Sequence, residues 1–208
     1  MPSVPTRQAI RRPGRILLAS TIAVFTIQGC SAESASASRD YPIPATLCDV
    51  EIEPEEVEEI FPPGQSIETV GDGVSRYGWI DSGGRCTVFI DDKPVIAVDS
   101  FGSTDEPRSS GPRVPGIEPY LEFRSFDLDM TESELVTSSE YEIRVWNDFA
   151  AIHIPCAQPS GMGYTGMNIA IDLRENEDRD FSATLKDIIE PYALDRIDKM
   201  GPDVCGTD

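Results

Sequence analysis

Hydrophobic and polar positions divide the chain into a short apolar run near its start and a long stretch of alternation beyond it. Ile16 to Ile27 is a run of twelve residues without a charge. A membrane-spanning helix needs about twenty apolar residues, so this length matches the apolar core of an export signal. Further on, the period becomes two. Arg85 to Ile90 puts Cys86, Val88 and Ile90 on one side, and Pro94 to Phe101 alternates in the same way. Asp91-Asp92 between them is a turn, and so short a link makes the pair an antiparallel hairpin. Val74 to Ile80, Tyr120 to Phe126, Tyr141 to Val145, Ala151 to Cys156 and Met167 to Leu173 read as further strands, with Asn147-Asp148 and the glycines from Gly161 to Gly166 as turns.

Two stretches follow helical spacing instead. Pro54 to Phe61 carries Val57, Ile60 and Phe61 on one side. Pro54 suits a first turn, its glutamates suit the positive end of the helix, and Pro62-Pro63-Gly64 stops it. Near the end, Phe181, Leu185, Ile188, Ile189 and Tyr192 fall on one face, with Asp180 as the cap and Pro191 expected to kink or split the helix. Ile197 and Met200 continue the apolar face, and Gly201-Pro202 ends it. Gly102 to Pro119 is rich in Ser, Gly and Pro and reads as a mobile surface loop. The expected fold is α+β: an antiparallel sheet of about six strands with helices packed on it, closed by two disulfides.

Charge sharpens the division. Residues 1–29 hold Arg7, Arg11, Arg12 and Arg15 and no acid, so of 17 basic and 37 acidic residues the remainder keeps 13 and 37, a net of −24. A domain so acidic repels nucleic acid and anionic headgroups, which excludes nucleic acid as a partner. The apolar run ends at Ile27-Gln28-Gly29-Cys30. This resembles the bacterial lipobox, although Gln28 stands where Ala, Ser or Thr is usual. The small Gly29 admits the peptidase and the Cys30 thiol accepts the diacylglycerol. Ala35-Ser36-Ala37 offers an alternative cleavage site of A-x-A form, but it lies too far beyond the apolar run. The expected organisation is therefore a signal peptide over 1–29, lipidated Cys30 with a flexible Ser/Ala tether over 30–40, and one extracytoplasmic domain over 41–208. The lipid would hold the protein at the outer face of the cytoplasmic membrane.

Apart from Cys30, the cysteines are Cys48, Cys86, Cys156 and Cys205. In an oxidising compartment four cysteines imply two disulfides, with three possible connectivities. Cys48–Cys86 and Cys156–Cys205 are preferred, because each pair then lies within one half of the domain and joins a helix-flanking residue to a strand. A zinc site would need C-x-x-C spacing or a second histidine, and His153 stands alone. A lone strand histidine is ordinarily structural, and its place between Ile152 and Ile154 turns it toward the opposite, partly wet face.

Other chemistry is searched for without result. The chain has no G-x-S-x-G and no G-x-x-x-x-G-K, and Gly161-Met162-Gly163-Tyr164-Thr165-Gly166, although spaced as G-x-G-x-x-G, reads as a turn that leads into a strand. Asn176, Asp178 and Asp180 alternate as in a calcium loop with Asp187 at the twelfth position, but Phe181 occupies the place of the glycine at the sharp turn. A solvated turn ahead of the last helix is the expected reading. No catalytic, cofactor-binding or metal-binding residue is assigned.

The lipobox-like segment, the Ser/Ala tether, Leu47-Cys48 before an acidic helix, and the strands Arg85-Cys86-Thr87-Val88 and Ile152-His153-Ile154-Pro155-Cys156 together resemble the uncharacterised small cell-envelope lipoproteins of actinobacteria. That resemblance implies an envelope location and carries no functional residue. Two expectations for function follow. The first is a non-enzymatic binding module for an envelope protein or a small molecule. The second is an envelope hydrolase working through dispersed carboxylates with His153. A continuous groove would favour the first, and His153 set against two or more carboxylates the second.

Overall fold

The structure is a computed structural model that describes residues 38–71, 84–104, 115–157, 164–174, 179–201 and Cys205. The export signal expected over 1–29, Cys30, most of the expected tether, the strand expected over 74–80 and residues 161–163 of the expected glycine turn lie outside the described residues.

Alternation produces the sheet. Seven strands pair antiparallel in the order β3-β4-β5-β9-β8-β7-β6. They are β3 (Ile67–Gly71), β4 (Gly84–Ile90), β5 (Lys93–Ser103), β6 (Glu134–Leu135), β7 (Glu142–Val145), β8 (Phe149–Pro155) and β9 (Gly166–Leu173). β4 and β5 form the expected hairpin. Asp91 and Asp92 both take left-handed backbone, at φ 50 and 65, a conformation aspartate tolerates and a two-residue hairpin turn of matching twist requires. The register shifts between Val88 and Phe89, which sets Pro94 beside an irregularity, where the missing N–H costs the ladder least. A second, two-stranded sheet pairs β1 (Thr46–Leu47) with β2 (Val50–Glu51).

The pairing register assigns every side chain to one face. Cys86, Val88, Ile96, Val98, Ile171, Ile169, Ile152 and Ile143 share the first face. The long helix α3 (Ser182–Met200) covers it with Leu185, Ile188, Ile189, Tyr192, Ala193 and Ile197. The helix runs through Pro191 without being split there. Pro191 and Asp187, whose carbonyl loses its partner, both lie on the exposed side, so water replaces the missing bond. Asp180 does cap, accepting from Ser182 N at 2.9 Å, although Phe181 occupies the N-cap position itself.

The second face carries Phe101, Ala151, Ala170 and Phe149, and α2 (Ile117–Arg124) packs there through Ile117, Tyr120 and Leu121. The stretch expected as a strand over Tyr120 to Phe126 is therefore helix as far as Arg124, with Ser125 as its left-handed C-cap. The deciding residues are Ile117, Tyr120, Leu121 and Arg124, which fall three and four apart on one face. Pro119 sits in the first turn, where its missing N–H has no intrahelical partner to lose. The stretch read as a loop over 102–119 is thus shortened at both ends, by β5 and by α2, and residues 105–114 lie outside the described residues. β3, which the sequence did not suggest, adds an outer strand to β4.

Both disulfides lie within the described residues, joining Cys48 to Cys86 and Cys156 to Cys205. They point to an oxidising, extracytoplasmic compartment. No helix among the described residues is long and apolar enough to cross a membrane.

Candidate functional site

Three constellations gather polar chemistry. The first is a cleft at the end of the α3 layer. Its wall begins with the β1–β2 hairpin, which turns through Cys48 and Asp49 in left-handed backbone, at φ 53 and 68. Successive carbonyls of this turn are held by α3. Tyr192 donates to Leu47 O at 3.1 Å, Arg196 Nη1 to Cys48 O at 3.2 Å and Lys199 Nζ to Asp49 O at 2.9 Å. Arg196 is fully buried and also donates from Nε to Ser100 Oγ on the sheet. Burial pushes the Tyr192 hydroxyl up to about 12, so it remains a neutral donor. Together with the Cys48–Cys86 bond, these contacts fix the hairpin to the core.

After the hairpin the chain enters α1 (Pro54–Val57) and a 3-10 turn over Glu58–Ile60. Val57, Ile60 and Phe61 turn inward as their spacing requires, and the glutamates are left outside. Between α1 and α3 lies a cleft of about 260 Å³, lined by Leu47, Ile52, Val57, Ile188, Pro191 and Tyr192 and rimmed by Glu51, Glu53, Glu56 and Asp195. Among the described residues no basic residue lines it. On the other side of Glu56 lies a more open depression of about 520 Å³, where Glu55, Glu58 and Glu59 meet Arg39 and Arg179.

The second constellation surrounds His153, on the α2 face. Its Nδ1 lies 3.0 Å from Asn168 Oδ1, and Asn168 is its direct partner on β9. With Oδ1 accepting, the neutral ring donates from Nδ1 and leaves Nε2 as an acceptor. Gly166 makes room for the ring. A Cβ there would stand 2.6 Å from His153 Cε1 and 3.0 Å from both His153 Nε2 and Ser103 Oγ. Ser103 and Asn168 are fully buried, and Ser103 Oγ and Asn168 Nδ2 have no hydrogen-bond partner among the described residues. Glu142 stands opposite His153 on β7 and accepts from Ile117 N at 3.3 Å, tying the start of α2 to the sheet. Burial holds the imidazole below its ordinary value, against the opposing pulls of Asn168 and Glu142. His153 therefore points away from Ile152 and Ile154 as expected, but the face is dry: the residue is 7% exposed.

The third constellation is an ion pair in the same layer. Asp99 is 2% exposed. It accepts from Arg124 Nε and from the Tyr120 hydroxyl, both at 2.8 Å, and Arg85 Nε stands 3.8 Å away. Burial and the Asp99 charge push the Tyr120 hydroxyl well above its usual range, so it too stays a donor. Every group here is occupied by another, which marks the cluster as a structural tie between α2 and the sheet.

The sequence singled out Cys30, which lies outside the described residues, the four disulfide cysteines, and His153. It missed Ser103, Asn168, Asp99, Arg124 and Arg196. One signal was available: Asp99 and Ser103 take every second position with Ala97 and Phe101 in a strand buried on both sides, and a polar residue at such a position has to find a partner inside. Among the described residues no group of three or more His, Cys, Asp or Glu is placed to hold a metal. Comparison of the chain with protein-family models, curated proteins and solved structures finds no match.

Proposed function

We propose that this chain is an exported lipoprotein, cut before Cys30 and anchored through it, whose domain is a non-enzymatic binding module at the outer face of the cytoplasmic membrane. The observation that carries the binding reading is the cleft between α1 and α3, with its apolar floor, its acidic rim and no basic residue among its lining. Concave sites with apolar floors and a few placed polar groups are where ligands bind. This one is preformed, since a disulfide and three side-chain clips fix its wall. The hydrolase alternative has less support. His153 faces an amide and a single carboxylate, Glu142, and the nearby Ser103 hydroxyl is fully buried.

Two measurements test the proposal. Cys30→Ala should release the protein from the membrane fraction or leave uncleaved precursor; a variant that stays processed and membrane-bound would remove the anchor. A photo-crosslinking residue in place of Glu53 should give specific adducts in intact cells, while one in place of Phe123, exposed on α2, should not. Equal labelling from both positions, or an activity lost in a folded His153→Gln variant, would overturn the binding-module reading.

A further inference from the structure

Resting on that reading, we infer that the cleft between α1 and α3 receives a basic peptide segment, with one apolar side chain as anchor and lysine or arginine on either side of it. The floor of Leu47, Ile52, Val57, Ile188 and Tyr192 suits an aliphatic anchor, while Glu51, Glu53, Glu56 and Asp195 surround its mouth. Glu51, Glu53 and Glu56 form no ion pair among the described residues, and of the four only Asp195 meets a cation, Lys199 at 3.1 Å. Glu55 and Glu56 have a local explanation in the first turn of α1, where acids oppose the helix dipole. Glu53 is the N-cap of the same helix and Asp195 pairs with Lys199 four residues on, so of the rim acids it is Glu51, on a strand, that has no local explanation. Carboxylates gathered on a rigid rim repel one another, and a cationic ligand relieves that repulsion as it binds.

The extent of the acidic lining favours a peptide over a compact ligand. Glu56 belongs to both the cleft and the neighbouring depression, where Glu55, Glu58 and Glu59 continue the line. The two arginines of the depression are already engaged. Arg39 pairs with Glu58 at 3.0 Å and donates to Phe61 O, and Arg179 lies 4.4 Å over the Phe181 ring. An elongated basic segment crossing Glu56 meets a lining that stays net acidic, with Glu55, Glu56, Glu58 and Glu59 against Arg39 and Arg179.

The test uses the mature chain and a fluorescent peptide of alternating lysine and leucine, read by anisotropy. One control replaces its lysines by glutamate and a second replaces its leucines by serine. The Lys/Leu peptide should bind, with affinity falling as salt rises from about 50 mM to about 300 mM, and both controls should bind about tenfold more weakly or worse. Glu53→Lys/Glu56→Lys should weaken the Lys/Leu peptide by about tenfold, while Glu122→Lys, on the far layer, should not. Binding that ignores the double variant, or that the acidic control shares, would overturn the inference. If a Glu53 crosslinker instead captures a partner without a basic segment, the peptide assignment fails and the binding module stands. If neither the peptide nor a crosslinked partner is found, both fail.

Discussion

The two faces of the large sheet bury helices of unequal length, 19 residues in α3 and 8 in α2, by opposite means. Under α3 the contact is aliphatic, with Ile152, Ile154, Ile169 and Ile171 meeting Leu185, Ile188 and Ile189. Its one buried cation, Arg196, donates to neutral oxygens of Ser100 and Cys48. Under α2 the contact is aromatic, built from Phe101, Trp146, Phe149 and Tyr120, with edge-on rings such as Trp146 and Phe149 at 5.5 Å. That layer also contains a true ion pair, Asp99 with Arg124, and the His153 cluster with its two orphaned polar atoms. The α3 face gains specificity from shape and the α2 face from partnered charge. The second is the more fragile to the loss of a single partner.

The largest effect follows from that difference. Arg124→Ala leaves the Asp99 carboxylate buried without its main counter-charge, and breaking a buried pair this way costs about 3–5 kcal/mol. Arg196→Met removes a cation more deeply buried than Arg124, but the partners it leaves include the neutral Ser100 Oγ, Cys48 O and Tyr192 hydroxyl, for about 1–3 kcal/mol. Urea denaturation of both variants measures the gap. Equal losses, or a larger loss for Arg196→Met, would mean that the two faces do not differ in the way their partners suggest. Asp99→Asn added to Arg124→Ala should recover part of the first loss, since the residual charge is then gone.

An intermediate effect is expected at Gly166. A methyl group there would overlap the His153 ring, with Cε1 only 2.6 Å away, and overpacking of this kind costs about 1–3 kcal/mol. Gly166→Ala should therefore lower the melting temperature, and His153→Ala in the same chain should restore much of the loss. Additive losses in the double variant would show that the ring is not what the missing Cβ accommodates.

Legibility in the sequence follows the same line between the faces. Cys86-Thr87-Val88-Phe89-Ile90 and Met167 to Leu173 alternate plainly, and α3 repeats every three or four residues, so the α3 side was readable as strands and a helix. The region of α2 was misread because Tyr120, Leu121, Phe123 and Phe126 have the composition of a strand. Its helical spacing becomes evident only when Ile117 is included, and Ile117 follows a run of Gly and Pro that suggested a loop. The candidate cleft was half legible. The inward positions Val57, Ile60 and Phe61 were evident from their spacing, but that Glu51, Glu53, Glu56 and Asp195 meet around one opening depends on α3 returning across the chain, which no local pattern encodes. Asn168 and Ser103 meet His153 only through the β5–β9–β8 register. Distant pairings of that kind are set by the whole sheet.

The smallest effect concerns His153, and its sign distinguishes a dry face from a wet one. Burial holds the folded imidazole below the unfolded value, which is about 6.5. Where pH lies between the two values the unfolded chain binds a proton that the folded chain does not, so stability rises with pH through that window. The native protein should thus be fully stabilised above the unfolded value and lose stability as pH falls below it. Asp172, whose carboxyl is raised by burial, acts in the opposite sense and at lower pH; comparison with a variant cancels it. His153→Gln keeps an amide able to meet Asn168, so its cost at pH 7 should be about 1 kcal/mol, more than a surface site would show. That difference should shrink or reverse toward pH 5. Parallel stability curves for the two proteins across the range would mean that His153 is solvated and that the α2 face is not closed over it. Binding at the cleft, which lies on the α3 side of the sheet, should be the same in both.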